Sequence, residues 1–236
     1  MKAFPVVHIN EVETAISQAQ LALDMGSDGV YFIDHQDRDP RDTVLRAYGG
    51  LLTNTPDVFV GVNLLGSTVK QAYDILLESL NNGLIPRMPN ALWCDDIRDS
   101  GTADLAELDE FRRSEPELAN ITLMGGIAFK YTPNYTSDPD RAAAEAKELE
   151  PYVDVVTTSG RGTGTAPDAE KIHAMKSVIS KPLAVASGLS ASNLHLFEGI
   201  VDQMIVGTSI ETHVYSGIFN TDALEELLSA AHVQRN

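Results

Sequence analysis

Apolar positions along this chain alternate between two spacings. Short runs rich in β-branched and aromatic residues are each followed by a longer stretch whose apolar residues return every three or four positions, which is a strand pattern followed by a helix pattern. Residues 4–9 form the first run. Residues 11–25 follow with Val12, Ala15, Ile16, Ala19, Ala22 and Leu23 on one helical face, and Gly26 stands where a helix would stop. The same reading predicts strands over 29–34, 58–64, 91–94, 154–158, 183–186 and 203–206, and places the fifth within 120–129. It predicts helices over 42–52, 68–80, 103–114, 139–149, 167–179 and 222–232, and a short one over 190–197. Pro139 and Pro167 sit near helix starts, where a missing N–H costs nothing. Asp168 suits the positive end of the helix dipole.

Strands alternating with helices predict a parallel sheet. Eight such repeats in a chain of 236 residues predict closure into one α/β domain over 1–236, a (β/α)8 TIM barrel of the phosphate-binding type. An open doubly wound sheet is the competing architecture, but no G-x-G-x-x-G follows the first strand.

Composition narrows the function. The formal charge is −17, which leaves no basic footprint for nucleic acid and disfavours an anionic membrane surface. No apolar run approaches the ~20 residues of a membrane span, so no membrane insertion is expected. MKAFPVVHIN lacks the apolar core of a signal peptide, and Cys94 has no cysteine partner; the expected location is cytoplasmic. An anionic ligand would need local shielding by backbone N–H groups and a few cations. Self-association as a homo-oligomer is open, since no interface is readable.

The sharpest local signal is SGRGTGTAP, residues 159–167, between the sixth strand and its helix. Glycines there let backbone N–H groups converge on one anion. The seventh strand ends in Ala186-Ser187-Gly188-Leu189-Ser190 and the eighth in Val206-Gly207-Thr208-Ser209. In TIM barrels the loops after strands seven and eight commonly hold phosphate with a short extra helix, and 190–197, capped by Ser190 or Ser192, fits it. The candidate phosphate ligands are Ser159, Gly162, Thr163, Gly164, Ser187, Gly188, Gly207 and Thr208. The competing explanation is a set of tight turns.

These segments carry a resemblance. Residues 153–159 with Gly162-Thr163-Gly164 and Pro167-Asp168, then PLAVASGLSASNL and DQMIVGTSIE, resemble the ribulose-phosphate-binding barrel superfamily. VVH near the start, the FK strand end, TTSGRGTGTAPD, ASGL and VGTSIE are most similar to the BtpA/SgcQ family. That resemblance implies a barrel and a phosphorylated ligand, and its name implies a role in photosystem I assembly. GTGTAPD, ASGLSASN and VGTSIE also resemble the last third of phosphoribosylanthranilate isomerase. That family has a catalytic Cys at the end of strand one and a catalytic Asp at the end of strand six. Here those positions hold His8 and about Thr157.

Catalytic groups of this fold sit at the C-terminal strand ends. Lys130 can bind phosphate, form a Schiff base or move a proton; alternatively it is a surface lysine. Asp34 can be a base or a turn cap. Only one of Asp95 and Asp96 can face the axis, because strand side chains alternate. His8 can exchange protons near neutral pH. Asn63 can bond a ligand hydroxyl or close a turn. Asp34, His35, Asp37 and Asp39 match no metal-ligand spacing, so no metal is assigned, nor any cofactor. Cys94 adjoins two carboxylates that would raise its pKa, so it is not assigned as a nucleophile. Residues 131–137 can close over the mouth as a lid or be an ordinary loop.

The expected function is therefore an isomerase, lyase or glycosyl-transferring enzyme acting on a phosphorylated sugar or ribosylated metabolite. Lys130, Asp34, Asp95 and His8 are its candidate catalytic residues. The alternatives are an assembly factor without catalysis, which would need an apolar patch on the outer helices, and phosphoribosylanthranilate isomerase itself.

Overall fold

Each β-branched run forms a strand, and each strand pairs in parallel with its sequence neighbour until the eighth closes on the first. The computed structural model describes residues 1–233. The strands are β1 (Lys2–His8), β2 (Val30–Ile33), β3 (Val60–Asn63), β4 (Ala91–Cys94), β5 (Thr122–Gly126), β6 (Val155–Thr158), β7 (Leu183–Ala186) and β8 (Gln203–Val206). The helices are α1 (Val12–Asp24), α2 (Val44–Asn54), α3 (Val69–Asn81), α4 (Leu105–Ser114), α5 (Pro139–Leu149), α6 (Ala169–Val178) and α7 (Thr221–Val233). The chain is a (β/α)8 barrel.

The fifth strand falls within the expected 120–129 and ends at Gly126, because Ala128 takes a positive φ of 48° that no strand can hold. One departure from the sequence reading has a physical cause. The helix expected over 190–197 is only a 3₁₀ turn at Leu194–Phe197. Ser190 and Ser192 bond each other instead of capping it. Asn193 ties the turn down, accepting from Ser190 N–H at 2.9 Å and donating to the Gly188 carbonyl at 2.8 Å.

The core has two compartments. Between strands and helices lies an aliphatic shell that includes Leu45, Leu51, Leu76 and Ile172. Inside the barrel is an aromatic plug. Phe4 meets Tyr31 edge-on at 5.7 Å, Tyr31 meets Trp93 at 6.2 Å, and Trp93 meets Phe129 at 6.1 Å. Gly61 leaves room for the Tyr31 ring, which a Cβ there would approach to 2.1 Å. This plug is the floor of the cavity at the C-terminal mouth.

Gly126 fixes how closely β5 follows β4. A Cβ at that position would lie 1.9 Å from the Asp95 carbonyl oxygen, a backbone atom that cannot turn aside. Gly126→Ala should therefore destabilise the fold by about 1–3 kcal/mol, the usual cost of overpacking. Urea unfolding reads this directly, and an unchanged midpoint would show that the two strands are free to separate.

Candidate functional site

Strand parity decides which side chains reach the mouth. On β1 the inward positions are Phe4 and Val6, and His8 follows; on β4 they are Ala91 and Trp93, and Asp95 follows. On β2 they are Tyr31 and Ile33, so the next inward residue is His35, not Asp34. Asp34 instead accepts from Gln36 N–H at 2.8 Å and from Arg38 Nε at 2.7 Å. Arg38 continues to the Ile9 carbonyl at 2.6 Å. Burial opposes ionisation of Asp34, but the Arg38 and Gln36 bonds prevail and hold its carboxyl below the usual range. Asp34 thus clamps the β2 loop to the end of β1, and the neighbouring Asp39 bonds Arg41, so this acidic loop is tied to its own arginines.

A central chamber of about 50 Å³ lies over the aromatic plug, room for a small number of waters. His8, His35, Asp95, Lys130, Gly207 and Thr208 are among its walls. His8 Nδ1 lies 2.8 Å from Glu211 Oε1. Glu211 is itself fixed by the backbone N–H groups of Tyr215 and Gly217. With Nδ1 bound, Nε2 is the ring nitrogen left for a ligand. Across the chamber, Asp95 accepts from Asn63 Nδ2 at 3.0 Å. Burial raises the Asp95 carboxyl, and burial lowers the Lys130 ammonium, each partly offset by the opposite charge of the other. A carboxyl pushed up beside an amine pushed down is an arrangement suited to passing protons.

The Gly/Ser/Thr loops divide into two roles. No acceptor among the described residues takes the N–H groups of Gly188, Gly207 or Thr208, and Gly207 and Thr208 line the chamber beside the Ser187 and Thr163 side chains. The other candidates hold the loops together. Gly164 N–H donates to Ser187 Oγ at 2.9 Å, which bonds on to the Gly162 carbonyl at 3.3 Å. Ser159 is fully buried and its Oγ accepts the Lys130 N–H at 2.8 Å. At Gly188 a Cβ would come within 2.0 Å of Ala166 N, so this glycine, with φ of 75°, lets β7 meet the β6 loop.

Thr163 Oγ1 is the keystone over the chamber. It lies 3.3 Å from Lys130 Nζ, 3.3 Å from the Tyr131 hydroxyl and 2.9 Å from the Tyr215 hydroxyl. Three loops therefore meet there, and Tyr131 brings the first residue of the suspected lid into contact. Beneath the β6 loop sits Lys171 of α6, only 1% exposed, donating to the Ala128 carbonyl at 2.7 Å and the Ser159 carbonyl at 2.9 Å. Cys94 is held up at about 12, by burial ahead of the adjacent carboxylates, so its thiol stays protonated at neutral pH.

His35, Glu211, Tyr215, Thr163 as a junction, and Lys171 were not singled out in these roles from sequence. His35 was recoverable by counting alternate residues from Tyr31. Glu211 closes the VGTSIE motif, but its role beside His8 is not readable because that partner is about two hundred positions away, and Tyr215 carries no signal. Among the described residues, no group of three or more His, Cys, Asp or Glu side chains is placed to hold a metal ion, and no helix is long and apolar enough to cross a membrane.

Fold and mouth together define a (β/α)8 barrel with a polar chamber at the C-terminal ends of its strands. The BtpA family model matches residues 9–225, and the chain belongs to that family. Among solved structures, phosphoribosyl anthranilate isomerase from Thermus thermophilus is similar at a TM-score of 0.66 and 14% identity, over 99% of each chain. Thiamine phosphate pyrophosphorylase from Pyrococcus furiosus gives 0.64 and 13%, over 100% of this chain and 97% of that one. GGGPS from Thermoplasma volcanium gives 0.64 and 14%, over 97% and 91%. At these identities the likeness is one of fold. No curated protein matches the chain in sequence.

Lys171 yields a pH test. Burial lowers its ammonium from 10.5 to about 8, so between those values the unfolded chain binds a proton that the folded chain has released. Stability from this group therefore rises with pH across that window. Relative to Lys171→Met, the wild-type chain should gain on the order of 3 kcal/mol from pH 8 to 10.5. Parallel stability curves for the two chains would show that Lys171 is not buried as a charge.

Proposed function

We propose that this chain is an enzyme acting on a phosphorylated small molecule, with the phosphate at the ends of β7 and β8 and proton transfer between Lys130, Asp95 and His8. The observation that supports it most is the pair of N–H groups on Gly207 and Thr208, which have no acceptor among the described residues and line the chamber together with Lys130. Gly207 is buried, and a buried backbone N–H is rarely left without a partner, so this site calls for an acceptor. An anion with several oxygens satisfies both N–H groups together and gains from the lysine. The net charge of −17 makes such local donors necessary.

The chamber admits only waters as it stands, so a phosphorylated ligand must first part the Tyr131–Thr163–Tyr215 junction. Release of Thr163 frees the Lys130 ammonium at the same moment, which couples entry to the arming of a charged group. Asp34, turned away from the chamber, takes the role of a loop clamp in this scheme. The structurally similar enzymes are named for phosphorylated compounds, which agrees with the proposal in kind and says nothing of the reaction. An assembly factor would be expected to expose apolar side chains on its outer helices. Of the seven large exposed ones among the described residues, Leu65, Tyr131, Val214, Tyr215 and Ile218 lie in loops after the strands, Leu196 is in the turn after β7, and Val178 at the end of α6 is the one on an outer helix.

Thermal unfolding with inorganic phosphate and ribose 5-phosphate tests the anion site. A ligand binding only the folded chain adds about 2.7 kcal/mol at 100 times its Kd. Thr208→Glu, which sets a carboxylate beside the N–H groups, should weaken binding at least tenfold, whereas Thr208→Val should not. Stabilisation that survives Thr208→Glu would place the anion elsewhere.

With a turned-over phosphosugar in hand, Lys130→Met and Asp95→Asn should each cut kcat by about 10²–10⁴, the usual weight of general acid–base groups. Asp34→Asn should act through stability and KM instead. If Asp34→Asn alone abolished kcat, the division of roles drawn from strand parity would be wrong.

A further inference from the structure

The largest cavity at the mouth is not over the phosphate loops. It lies at the ends of β3 and β4, with a volume of about 480 Å³. Trp93 and Asp95 line both this cavity and the central chamber, so the two adjoin through a shared wall. A volume of this size matches ordinary small-molecule sites, which run from about 300 to 1,000 Å³. A phosphate and a sugar would not fill both spaces.

The walls say what the second space accepts. One side is apolar: Leu65 after β3, Trp93 on β4 and Pro133 in the β5 loop. Leu65 is 42% exposed there, an apolar cost that a planar ligand group would relieve. Trp93 is only 6% exposed, and its indole N–H is buried without an acceptor, so the residue lends the cavity ring surface rather than an open donor. The other side carries Asp95, Asp96 and Asp99. Asp96 gives one oxygen to the Arg98 N–H at 2.9 Å. Arg98, also on this wall, is already paired with Glu145 and Glu148 at 3.5 and 3.7 Å. The lining is therefore negative, and a second anionic group on the ligand would be repelled.

Resting on the phosphate site proposed above, we infer that the ligand is two-ended: a phosphate at β7 and β8, and at β3 and β4 a planar heterocycle that is neutral or cationic and bears amino donors. The ring lies against Leu65, Trp93 and Pro133. Its amino hydrogens face the carboxylates. A carboxylated ring is excluded by the same carboxylates. Asp95 stands where the two halves join, next to the proton-transfer groups.

Calorimetric titration of the full chain tests this with ribose 5-phosphate, cytidine 5′-phosphate, adenosine 5′-phosphate and orotidine 5′-phosphate. Cytidine or adenosine 5′-phosphate should bind at least tenfold tighter than ribose 5-phosphate. Orotidine 5′-phosphate, with its ring carboxylate, should bind at least tenfold weaker than cytidine 5′-phosphate. Asp99→Lys, an exposed change, should narrow that discrimination at least fivefold and leave ribose 5-phosphate unaffected. If ribose 5-phosphate binds and neither amino-bearing base adds affinity, or the carboxylated base binds tightest, the second half-site is overturned and the phosphate site stands. If none of the four binds, the phosphate site itself fails, and this inference with it.

Discussion

The pleat of the eight strands is the constraint on which the mouth depends. In a closed parallel barrel every second side chain points to the axis, and the count continues for a residue or two past the last ladder bond. Once Tyr31 and Ile33 are inside, His35 belongs to the chamber and Asp34 to the wall. Once Ala91 and Trp93 are inside, Asp95 faces the central chamber and Asp96 does not. The same count lifts His8 above Phe4 and Val6. Chemistry at the mouth is thus fixed by packing at the floor. A plug of Phe4, Tyr31, Trp93 and Phe129 sets the register from which the polar layer above is read.

That constraint separates what the sequence reveals from what it conceals. Periodicity and β-branched runs locate the strands to within a few residues, since burial on both faces of a parallel strand requires such runs. Loop chemistry reveals the Gly/Ser/Thr cluster, because positive φ at Gly164 and Gly188 admits few other residues. Asp34 misleads because a carboxylate at a strand end looks the same whichever way it points. Arg38, four residues on, is the local sign that it is already engaged. Glu211 and Tyr215 stay hidden for a different reason. Their partners, His8 and Thr163, are distant in sequence, and only closure of β8 against β1 brings them together. The short turn between β7 and β8 is concealed as well, since Leu194–Phe197 has helical composition but too little length to nucleate an α-helix.

Charge explains why the phosphate loops are built as they are. A protein of net charge −17 repels anions at long range, and screening confines that repulsion to about a Debye length, roughly 8–10 Å. Inside that distance, fixed N–H dipoles and a lysine decide. Lys130 faces the chamber, while Lys171 sits behind the loop and holds the Ala128 and Ser159 carbonyls. By engaging those oxygens it holds the β5 and β6 loops together from behind, so a buried cation with no path to the chamber still fixes the loops that line it.

Backbone strain gathers at the same place. The non-glycine residues with positive φ are Asp37, Ala128, Tyr131, Ser187 and Tyr215, all in loops at the C-terminal end of the barrel. Each such conformation costs on the order of 1–3 kcal/mol and persists only where its surroundings enforce it. Tyr131 and Tyr215 also share the contact to Thr163 Oγ1, so the backbone strain and the junction over the chamber fall on the same residues. A barrel with a packed aromatic floor and a strained roof thus keeps His8, Asp95 and Lys130 between the two, at the ends of its strands.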